Sequence, residues 1–479
     1  MSIMLHGWRK WLVVVLAFFG VVSVSRAQET NEDYRPPAPR RTSVILIVAD
    51  HLGWGDLGCY GQTKIKTPNL DQMAAEGVRF TSFYAGSAAE TPARASLLLG
   101  LHPGHLDIRG DMTGADLSAD DVTVAQVLQK SGYRTGLVGV WGLGAAGTAA
   151  APQNKGFYEF AGFLDRDSAN NDYANSIWRH DPNHYDNNYV QKTFDGPFQL
   201  SQNDNGQQGL YLPDLISRMA TNFVRIYRSG SANRWRPYFL VVAQTIPNVS
   251  EGRLSPKDAA YASEPWPLLE KIKADMIAKL DESVGALLQK LRATGLHSNT
   301  VVILTSAAGP QENSFVNPKF LGSTGPFRGA AGSLNEGGIR VPMIVWSPTR
   351  FRPAVVNEPW AAWDIFPTVE EIGFLPASTN IDGVSFLTTL YQGSQTNRHE
   401  HLYWEVHGDR VQQAVRLGDW KGYRPRPGAP LELYNLKSDP GEKNDVADKH
   451  RDVAAKIEKL MRTARTESSR WPLKEEPSK

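Results

Sequence analysis

Short, unbroken apolar runs rich in β-branched residues recur along this chain and alternate with amphipathic segments. Such runs are typical of strands that are covered on both faces, as in a parallel sheet. The predicted strands are Val44–Val48, Thr135–Val138, Tyr238–Ala243, Thr300–Thr305 and Val341–Trp346. The predicted helices are Asn69–Glu76, Asp121–Ser131, Leu215–Arg228 and Leu268–Ala293. Because strands and helices alternate, we expect an α/β fold with a large doubly wound, mixed or parallel sheet flanked by helices.

The pattern changes near residue 396 to short segments in which apolar and polar residues alternate. Residues 401–408, 411–424 and 431–436 have this alternation, and an amphipathic segment follows at Lys449–Thr466. This order predicts a small antiparallel sheet with a C-terminal helix. We therefore divide the chain into an α/β domain over residues 43–395 and a C-terminal subdomain over residues 396–479.

Two connections in the predicted α/β domain are too long for simple crossovers. Residues 142–156 are rich in glycine and alanine and lead into residues 157–179, whereas residues 180–209 are rich in Asn, Asp and Gln. Long loops in such domains are often binding loops or lids, and disorder is an equally open alternative for the second connection.

The N-terminus has the pattern of a targeting segment. Arg9 and Lys10 precede an apolar run of twelve residues, and Ser25-Arg26-Ala27 places small residues at the positions that signal peptidase requires. A membrane-spanning helix needs about 20 apolar residues. We therefore predict a signal peptide over residues 1–27, a flexible leader over residues 28–42, and a periplasmic or extracellular mature chain without a transmembrane anchor.

The composition argues against a nucleic-acid partner and excludes stabilisation by an intramolecular disulfide. The formal net charge is +1 and no local Lys/Arg run is present, so we expect no nucleic-acid partner. Cys59 is the single cysteine of the sequence, so an intramolecular disulfide is impossible and the chain depends on its core.

Candidate chemistry is concentrated in the stretch from Ser43 to Gly104. A buried strand ends in Asp50-His51, a capped helix follows, and a second turn reads Glu90-Thr91-Pro92-Ala93-Arg94. This stretch resembles the opening of the sulfatase family, which belongs to the alkaline-phosphatase-like superfamily. Similar motifs occur as far as residue 475, among them residues 323–342 and 413–447. The family has a C-x-P-S-R motif at residues 90–94, and here its cysteine is replaced by Glu90.

The resemblance implies that most catalytic positions are replaced. The family nucleophile, a cysteine or serine that is oxidised to formylglycine, corresponds to Glu90. Of the four implied calcium ligands only Asp50 is kept, since the others correspond to His51, Ala307 and Ala308. The lysines and the histidine that would contact the substrate correspond to Val140, Ala331 and Asn248. Alanine offers no ligand atom, and calcium prefers six to eight oxygen ligands. We therefore expect no cofactor, and calcium only if the site is active.

Several residues that match the family pattern have two interpretations. Arg94 is spaced to pair with Glu90 across one helical turn, either as an ion pair that fills the site or as a catalytic dyad. Asp50 and His51 are either a hydrogen-bonded pair or part of a metal site. His105 and Arg109 match a G-H-x-x-I-R-G pattern, and they either contact the substrate or brace the adjoining loop.

These observations favour a secreted sulfatase homologue that is catalytically inactive and acts by binding a sulfated or acidic glycan or a partner protein. The alternative is an active sulfate-ester hydrolase with a rebuilt site, in which Glu90 is base or nucleophile and His51 is acid. A third possibility, on which the sequence says little, is a decoy for the sulfatase maturation or export machinery.

Overall fold

The computed structural model describes residues 41–111, 115–185, 191–228, 230–249, 252–313 and 316–473. The predicted signal peptide and most of the predicted leader lie outside the described residues. Among the helices of the described residues, we find none that combines the length and the hydropathy needed to cross a membrane.

Eleven strands of the described residues form one sheet at the centre of the fold. In chain order they are β1 (Ser43–Ala49), β2 (Val78–Tyr84), β3 (Arg134–Val140), β4 (Glu159–Phe163), β5 (Ser176–Tyr185), β6 (Gln191–Gln199), β7 (Tyr238–Ala243), β8 (Thr300–Ser306), β9 (Arg340–Trp346), β10 (Ala354–Val356) and β11 (Trp360–Ala361). Their spatial order is β10-β2-β9-β8-β1-β7-β3-β4-β5-β6, and β11 pairs with β2. The central strands β8, β1, β7, β3 and β4 are parallel, whereas β9 and β5 are antiparallel to their neighbours. The sheet is therefore mixed.

Helices cover both faces of this sheet. The helices of the described residues are α1 (Pro68–Glu76), α2 (Glu90–Leu99), α3 (Val124–Lys130), α4 (Arg166–Ala169), α5 (Leu212–Arg225), α6 (Leu268–Ala293), α7 (Glu336–Ile339), α8 (Ile365–Ile372), α9 (Leu387–Gln392) and α10 (Arg451–Thr463). Alternate residues of β1 enter two different cores: Val44, Leu46 and Val48 pack with α2, α3 and α8, whereas Ile45 and Ile47 pack with α1, α5 and α6. The predicted doubly wound α/β fold is confirmed.

Most predicted elements of the α/β domain are present, with shifted ends. The predicted helix at Asp121 begins only at Val124, because the Thr123 side chain accepts a hydrogen bond from the Gln126 amide and the Gln126 side chain accepts one from the Thr123 amide. This capping box fixes the start of α3. Helix α6 has the predicted bounds.

The prediction of a loop, lid or disorder over residues 180–209 is wrong for residues 180–185 and 191–199, which form strands. Strands β5 and β6 form an antiparallel hairpin in which Ser176 lies opposite Gln199. Most β6 side chains are exposed to solvent, so the strand has no apolar face. Because periodicity detects a strand only when one face is buried, the sequence pattern gave no signal for this hairpin.

The C-terminal part contains the predicted antiparallel sheet. Its strands are β12 (Leu402–His407), β13 (Val411–Leu417), β14 (Trp420–Arg424) and β15 (Glu432–Asn435), and α10 packs Ile457 and Met461 against them. The other face of this sheet contacts the α/β domain, where the Trp404 indole donates a hydrogen bond of 3.0 Å to the Ala85 carbonyl. The boundary at residues 395 and 396 stays a prediction.

Candidate functional site

The parallel strands of the sheet end at a common edge, and the candidate site lies there. In the β1 register, Val48 lies beside Ala243 of β7 and Thr305 of β8, so the residues that follow these three strands come together. Asp50 and His51 follow β1, and Asn248 lies in the segment after β7. Ligands of doubly wound sheets bind at this edge because the loops after the strands diverge there.

Helix α2 begins at the same edge with Glu90 as its first residue. Every residue of α2 is buried, and Glu90 itself is 2% exposed. A carboxylate at a helix N-terminus is favoured by the unpaired amides and the helix dipole. Those effects alone do not offset the burial of a charge, so Glu90 requires nearby cations.

Three cationic side chains surround the Glu90 carboxylate. The His51 Nε2 atom lies 2.5 Å from Glu90 Oε1, and Arg166 from α4 donates a short hydrogen bond to the same oxygen. The Arg94 guanidinium lies 3.8 Å from Glu90 Oε2. The predicted pair between Glu90 and Arg94 is thus present, but the closest partners of Glu90 are His51 and Arg166.

Both ring nitrogens of His51 face oxygen atoms, an arrangement that favours the doubly protonated ring. Nε2 faces Glu90, and Nδ1 lies 3.1 Å from the Gly309 carbonyl oxygen. Burial would lower the pKa of His51, but the charges of Glu90 and Asp50 and these hydrogen bonds raise it overall. The His51 backbone has a φ of 65°, a left-handed conformation that is uncommon for residues other than glycine.

Asp50 is held as a carboxylate by its neighbours. The Asn248 amide donates a 3.0 Å hydrogen bond to Asp50 Oδ2, and Gln311 in turn donates to the Asn248 carbonyl oxygen at 2.8 Å. The Arg94 guanidinium lies 3.6 Å from Asp50 Oδ1. Burial would raise the pKa of Asp50, but His51, Arg94 and the Asn248 hydrogen bond hold it below its usual value.

The network closes at Asp111, at the rim of the site. Arg166 lies 3.2 Å from Asp111 Oδ2, and Asp111 Oδ1 accepts a hydrogen bond from the Thr91 amide. Burial would lower the pKa of Arg166, but Glu90 and Asp111 raise it overall. Three carboxylates are therefore balanced by three cations. The six residues are Asp50, Glu90 and Asp111 with His51, Arg94 and Arg166, and we call them the ion-pair network.

A cleft of about 780 Å³ opens above this network. His51, Glu90 and Arg166 contribute to its floor. Its sides include residues 311–313, the loop at 331–332, and residues 406–412 of the C-terminal sheet. The α/β domain and the C-terminal sheet thus both supply residues to one polar cleft.

The residues at the implied calcium position do not fit calcium. Ala307 and Ala308 are buried and carry no ligand atom. His51 uses both ring nitrogens as donors, and Arg94 places a positive charge 3.6 Å from Asp50 Oδ1. Ligand atoms of Asp50, His51 and Glu90 lie within 4.8 Å of one another. A metal ion there would have to displace the His51 proton that Glu90 now accepts.

The remaining predicted positions fall into two groups. Val140 contributes its carbonyl, which accepts a 2.9 Å hydrogen bond from Arg94, and Ala331 lines the cleft. His105 and Arg109 are absent from the described lining of the cleft. His105 hydrogen bonds to Asp382 at 2.9 Å, and Arg109 is buried against Glu405 at 2.8 Å. These contacts favour the bracing interpretation over substrate contact.

Arg166 and Gln311 belong to the site but were not predicted from the sequence. Arg166 lies in a short charged segment after β4, and it enters the site because Asp165 caps the four-residue helix α4. Neither residue belongs to a recognisable spacing pattern. For Arg166 the signal that was available is indirect: a buried Glu90 requires more positive charge than Arg94 alone supplies.

Comparisons with known proteins agree with this architecture. The family model described as Sulfatase matches residues 42–372. N-acetylgalactosamine-6-O-sulfatase of Bacteroides thetaiotaomicron is 29% identical over 499 residues, which cover 89% of this chain and 94% of that protein. Human arylsulfatase A is 30% identical, covering 85% of this chain and 83% of its own length. The crystal structure of Ps i-CgsB superposes with a TM-score of 0.72 at 26% identity, covering 88% of this chain and 92% of that one. The chain belongs to the sulfatase family.

Proposed function

We propose that this protein binds a sulfated or acidic glycan in its cleft and does not hydrolyse sulfate esters. The observation that carries the proposal is the state of Glu90. Its carboxylate stands where the family has its nucleophile, and His51 and Arg166 both bond to one of its oxygens. A carboxylate that is neutralised in this way is part of the structure rather than a reactive group.

His51, the candidate acid, does not direct a proton into the cleft. The two His51 protons point to Glu90 and to the Gly309 carbonyl, so neither is directed into the cleft. A general acid must reach the reacting oxygen within hydrogen-bond distance. The loss of one preorganised charge partner lowers a catalytic rate about 100- to 1,000-fold, and residues that act as a unit fail together. We therefore expect no residual family-type activity.

Binding of a glycan is supported by the cleft and by the relatives. The cleft is polar, and its volume is in the range of sites that bind small molecules such as a short saccharide. Some of the relatives are sulfatases named for N-acetylgalactosamine 6-sulfate. We infer that the cleft keeps an affinity for a related saccharide after the hydrolytic groups have been replaced. A partner protein at the same cleft is the outcome that a negative glycan experiment would favour.

The test combines hydrolysis with binding on the mature chain. Release of sulfate from 4-nitrophenyl sulfate and from N-acetylgalactosamine 6-sulfate is followed with and without calcium, and binding of sulfated oligosaccharides is measured by calorimetry. We expect no release above that of the Glu90→Gln variant, together with saturable binding. Turnover by the natural chain that Glu90→Gln or His51→Asn abolishes would instead establish the alternative, a hydrolase that uses Glu90 and His51.

We also propose that the chain is exported and cleaved after Ala27. Support comes from the basic residues, the apolar run and the small residues before the cleavage point. Mass spectrometry of the protein recovered from the periplasm or medium should give an N-terminus at Gln28. Recovery of the uncleaved chain in the cytoplasm would contradict this proposal.

A further inference from the structure

We propose that the anionic group of the ligand binds at the mouth of the cleft, where Arg410 contacts it, and not at the floor. Arg410 lies in the turn between β12 and β13 and lines the cleft. The inference rests on the proposed function, because it names the side chains that would recognise the glycan.

Among the described residues, the positive charges at the floor of the cleft are already paired with acceptors of the protein. His51 and Arg166 bond to Glu90, Arg166 also pairs with Asp111, and Arg94 contacts Asp50, Glu90 and the Val140 carbonyl. A sulfate at the floor would have to displace the buried Glu90 carboxylate, which is covalently part of the chain. A group fixed in this way competes as if it were present at a very high concentration.

The mouth of the cleft differs because its arginine is available. Arg410 is exposed, and its guanidinium makes no hydrogen bond or ion pair with any described residue. An arginine binds sulfate or carboxylate with two parallel hydrogen bonds, which gives both affinity and orientation. Arg410 can make such a pair without breaking any contact that holds the fold.

The turn that carries Arg410 is fixed at both ends. Gln412 donates a 2.7 Å hydrogen bond to the Gly332 carbonyl and accepts hydrogen bonds from the Leu334 amide and the Tyr423 hydroxyl. At the other end, the His407 amide donates to the Arg109 carbonyl at 2.8 Å. Because the ends of the turn are held, little conformational entropy is lost when the turn binds a ligand.

His407 provides a second recognition group beside Arg410. Its Nε2–H donates to Glu405 Oε1 at 3.2 Å, and Glu405 is a buried carboxylate that Arg109 and Arg465 also contact. These groups hold the pKa of Glu405 at about 2, although burial alone would raise it. The bond to Glu405 orients the His407 ring at the cleft, where the ring can hydrogen bond to a sugar hydroxyl.

The carboxylates at the mouth also limit how many anionic groups the ligand can carry. Glu312 and Asp409 line the cleft, are exposed, and make no hydrogen bond or ion pair with other described residues. Carboxylates accept hydrogen bonds from sugar hydroxyls and repel anions. One arginine between two carboxylates therefore favours a saccharide with an isolated sulfate or carboxylate among hydroxyls, and disfavours a densely sulfated polymer.

The test compares Arg410→Gln with Arg426→Gln in the full mature chain. Arg426 is also exposed and lies in the connection between β14 and β15 of the C-terminal sheet, but it is not among the residues that line the cleft. The probes are N-acetylgalactosamine 6-sulfate, unsulfated N-acetylgalactosamine and galacturonic acid, with ligand-detected NMR as the measurement. We expect Arg410→Gln to weaken binding of the sulfated sugar or the uronate about tenfold and Arg426→Gln to leave it unchanged.

The outcomes separate this inference from the proposed function. If the natural protein binds a charged probe and Arg410→Gln binds it equally well, the mouth subsite is refuted while glycan binding stands. If the natural protein binds only the unsulfated sugar, the mouth subsite is refuted and glycan binding stands. If it binds none of the probes, both the mouth subsite and the proposed glycan binding are refuted. Loss of affinity for the sulfated sugar alone identifies sulfate as the recognised group, and loss for the uronate alone identifies carboxylate.

Discussion

At the scale of single residues, the site is defined by a carboxylate placed where a nucleophile would act. Glu90 sits at the N-terminus of α2, and two protein cations bond to it where a metal-dependent site would need free ligand oxygens. The positive charges that balance Asp50 and Glu90 therefore belong to His51, Arg94 and Arg166. These cations pair with carboxylates of the protein itself.

The first prediction concerns the charge of Glu90. Glu90→Gln keeps the shape of the side chain but removes its charge, so that the three cations of the ion-pair network face two carboxylates instead of three. We therefore expect the free energy of unfolding to fall by about 3 kcal/mol. Denaturant unfolding measures this difference. Glu312→Gln removes an exposed carboxylate from the same cleft and should change the free energy by less than about 0.5 kcal/mol. Equal effects of the two variants would show that the ion-pair network contributes nothing.

The second prediction concerns pH. The folded state raises the pKa of His51, so this group stabilises the fold fully below its unfolded pKa of about 6.5, and the contribution is lost as the pH rises through the folded pKa. The folded state lowers the pKa of Asp50, so its contribution is present above about pH 3.9 and is lost as the pH falls.

His51→Asn isolates the alkaline part of this dependence, because asparagine tolerates the left-handed backbone of residue 51. The difference in unfolding free energy between the natural protein and His51→Asn should shrink as the pH rises above about 6.5. Its slope can reach at most about 1.4 kcal/mol per pH unit, the value for one proton. A difference that is constant from pH 6 to 9 would mean that His51 does not titrate with the fold.

At the scale of secondary structure elements, the buried strands and the long amphipathic helix could be predicted from the sequence. The solvent-exposed hairpin could not. Strands β1, β7 and β8 and helix α6 are visible as apolar runs or amphipathic periodicity. The hairpin of β5 and β6 was missed because its side chains are largely polar. Arg166 was missed for a related reason: a long side chain from a short loop reaches the site only through tertiary packing.

The third prediction concerns Arg109, which joins the loop before Asp111 to the C-terminal sheet. Its guanidinium contacts Glu405 at 2.8 Å and the Thr466 carbonyl at 3.0 Å, and the side chain is 1% exposed. Arg109→Met leaves Glu405 buried with fewer partners, so we expect a loss of about 3 kcal/mol of unfolding free energy. Faster hydrogen exchange in β12 should accompany the loss.

Arg426→Met is the matched control for this prediction, since Arg426 is an exposed arginine in the loop between β14 and β15 of the same small sheet. It should change stability by less than about 0.5 kcal/mol. If Arg109→Met is equally mild, Arg109 does not brace the sheet, and its alternative role as a contact of the ligand must be reconsidered.

At the scale of the whole molecule, a sulfatase fold encloses a site whose charges are paired with one another. The doubly wound sheet still brings Asp50, His51 and Asn248 to one edge, and the C-terminal sheet still adds one side of the cleft. The buried strands and helices stabilise the fold, and their packing does not depend on catalysis. The central claim is therefore that the fold is intact and that calcium-dependent hydrolysis is lost.

A calorimetric titration of the mature protein with calcium tests that claim most directly, with zinc and manganese as parallel titrants. The ion-pair network predicts no heat of binding up to millimolar calcium, because Ala307 and Ala308 supply no ligand atom and Arg94 and His51 already neutralise Asp50 and Glu90. Tight binding of one calcium ion that Asp50→Ala abolishes would contradict this claim and would favour a calcium-dependent hydrolase.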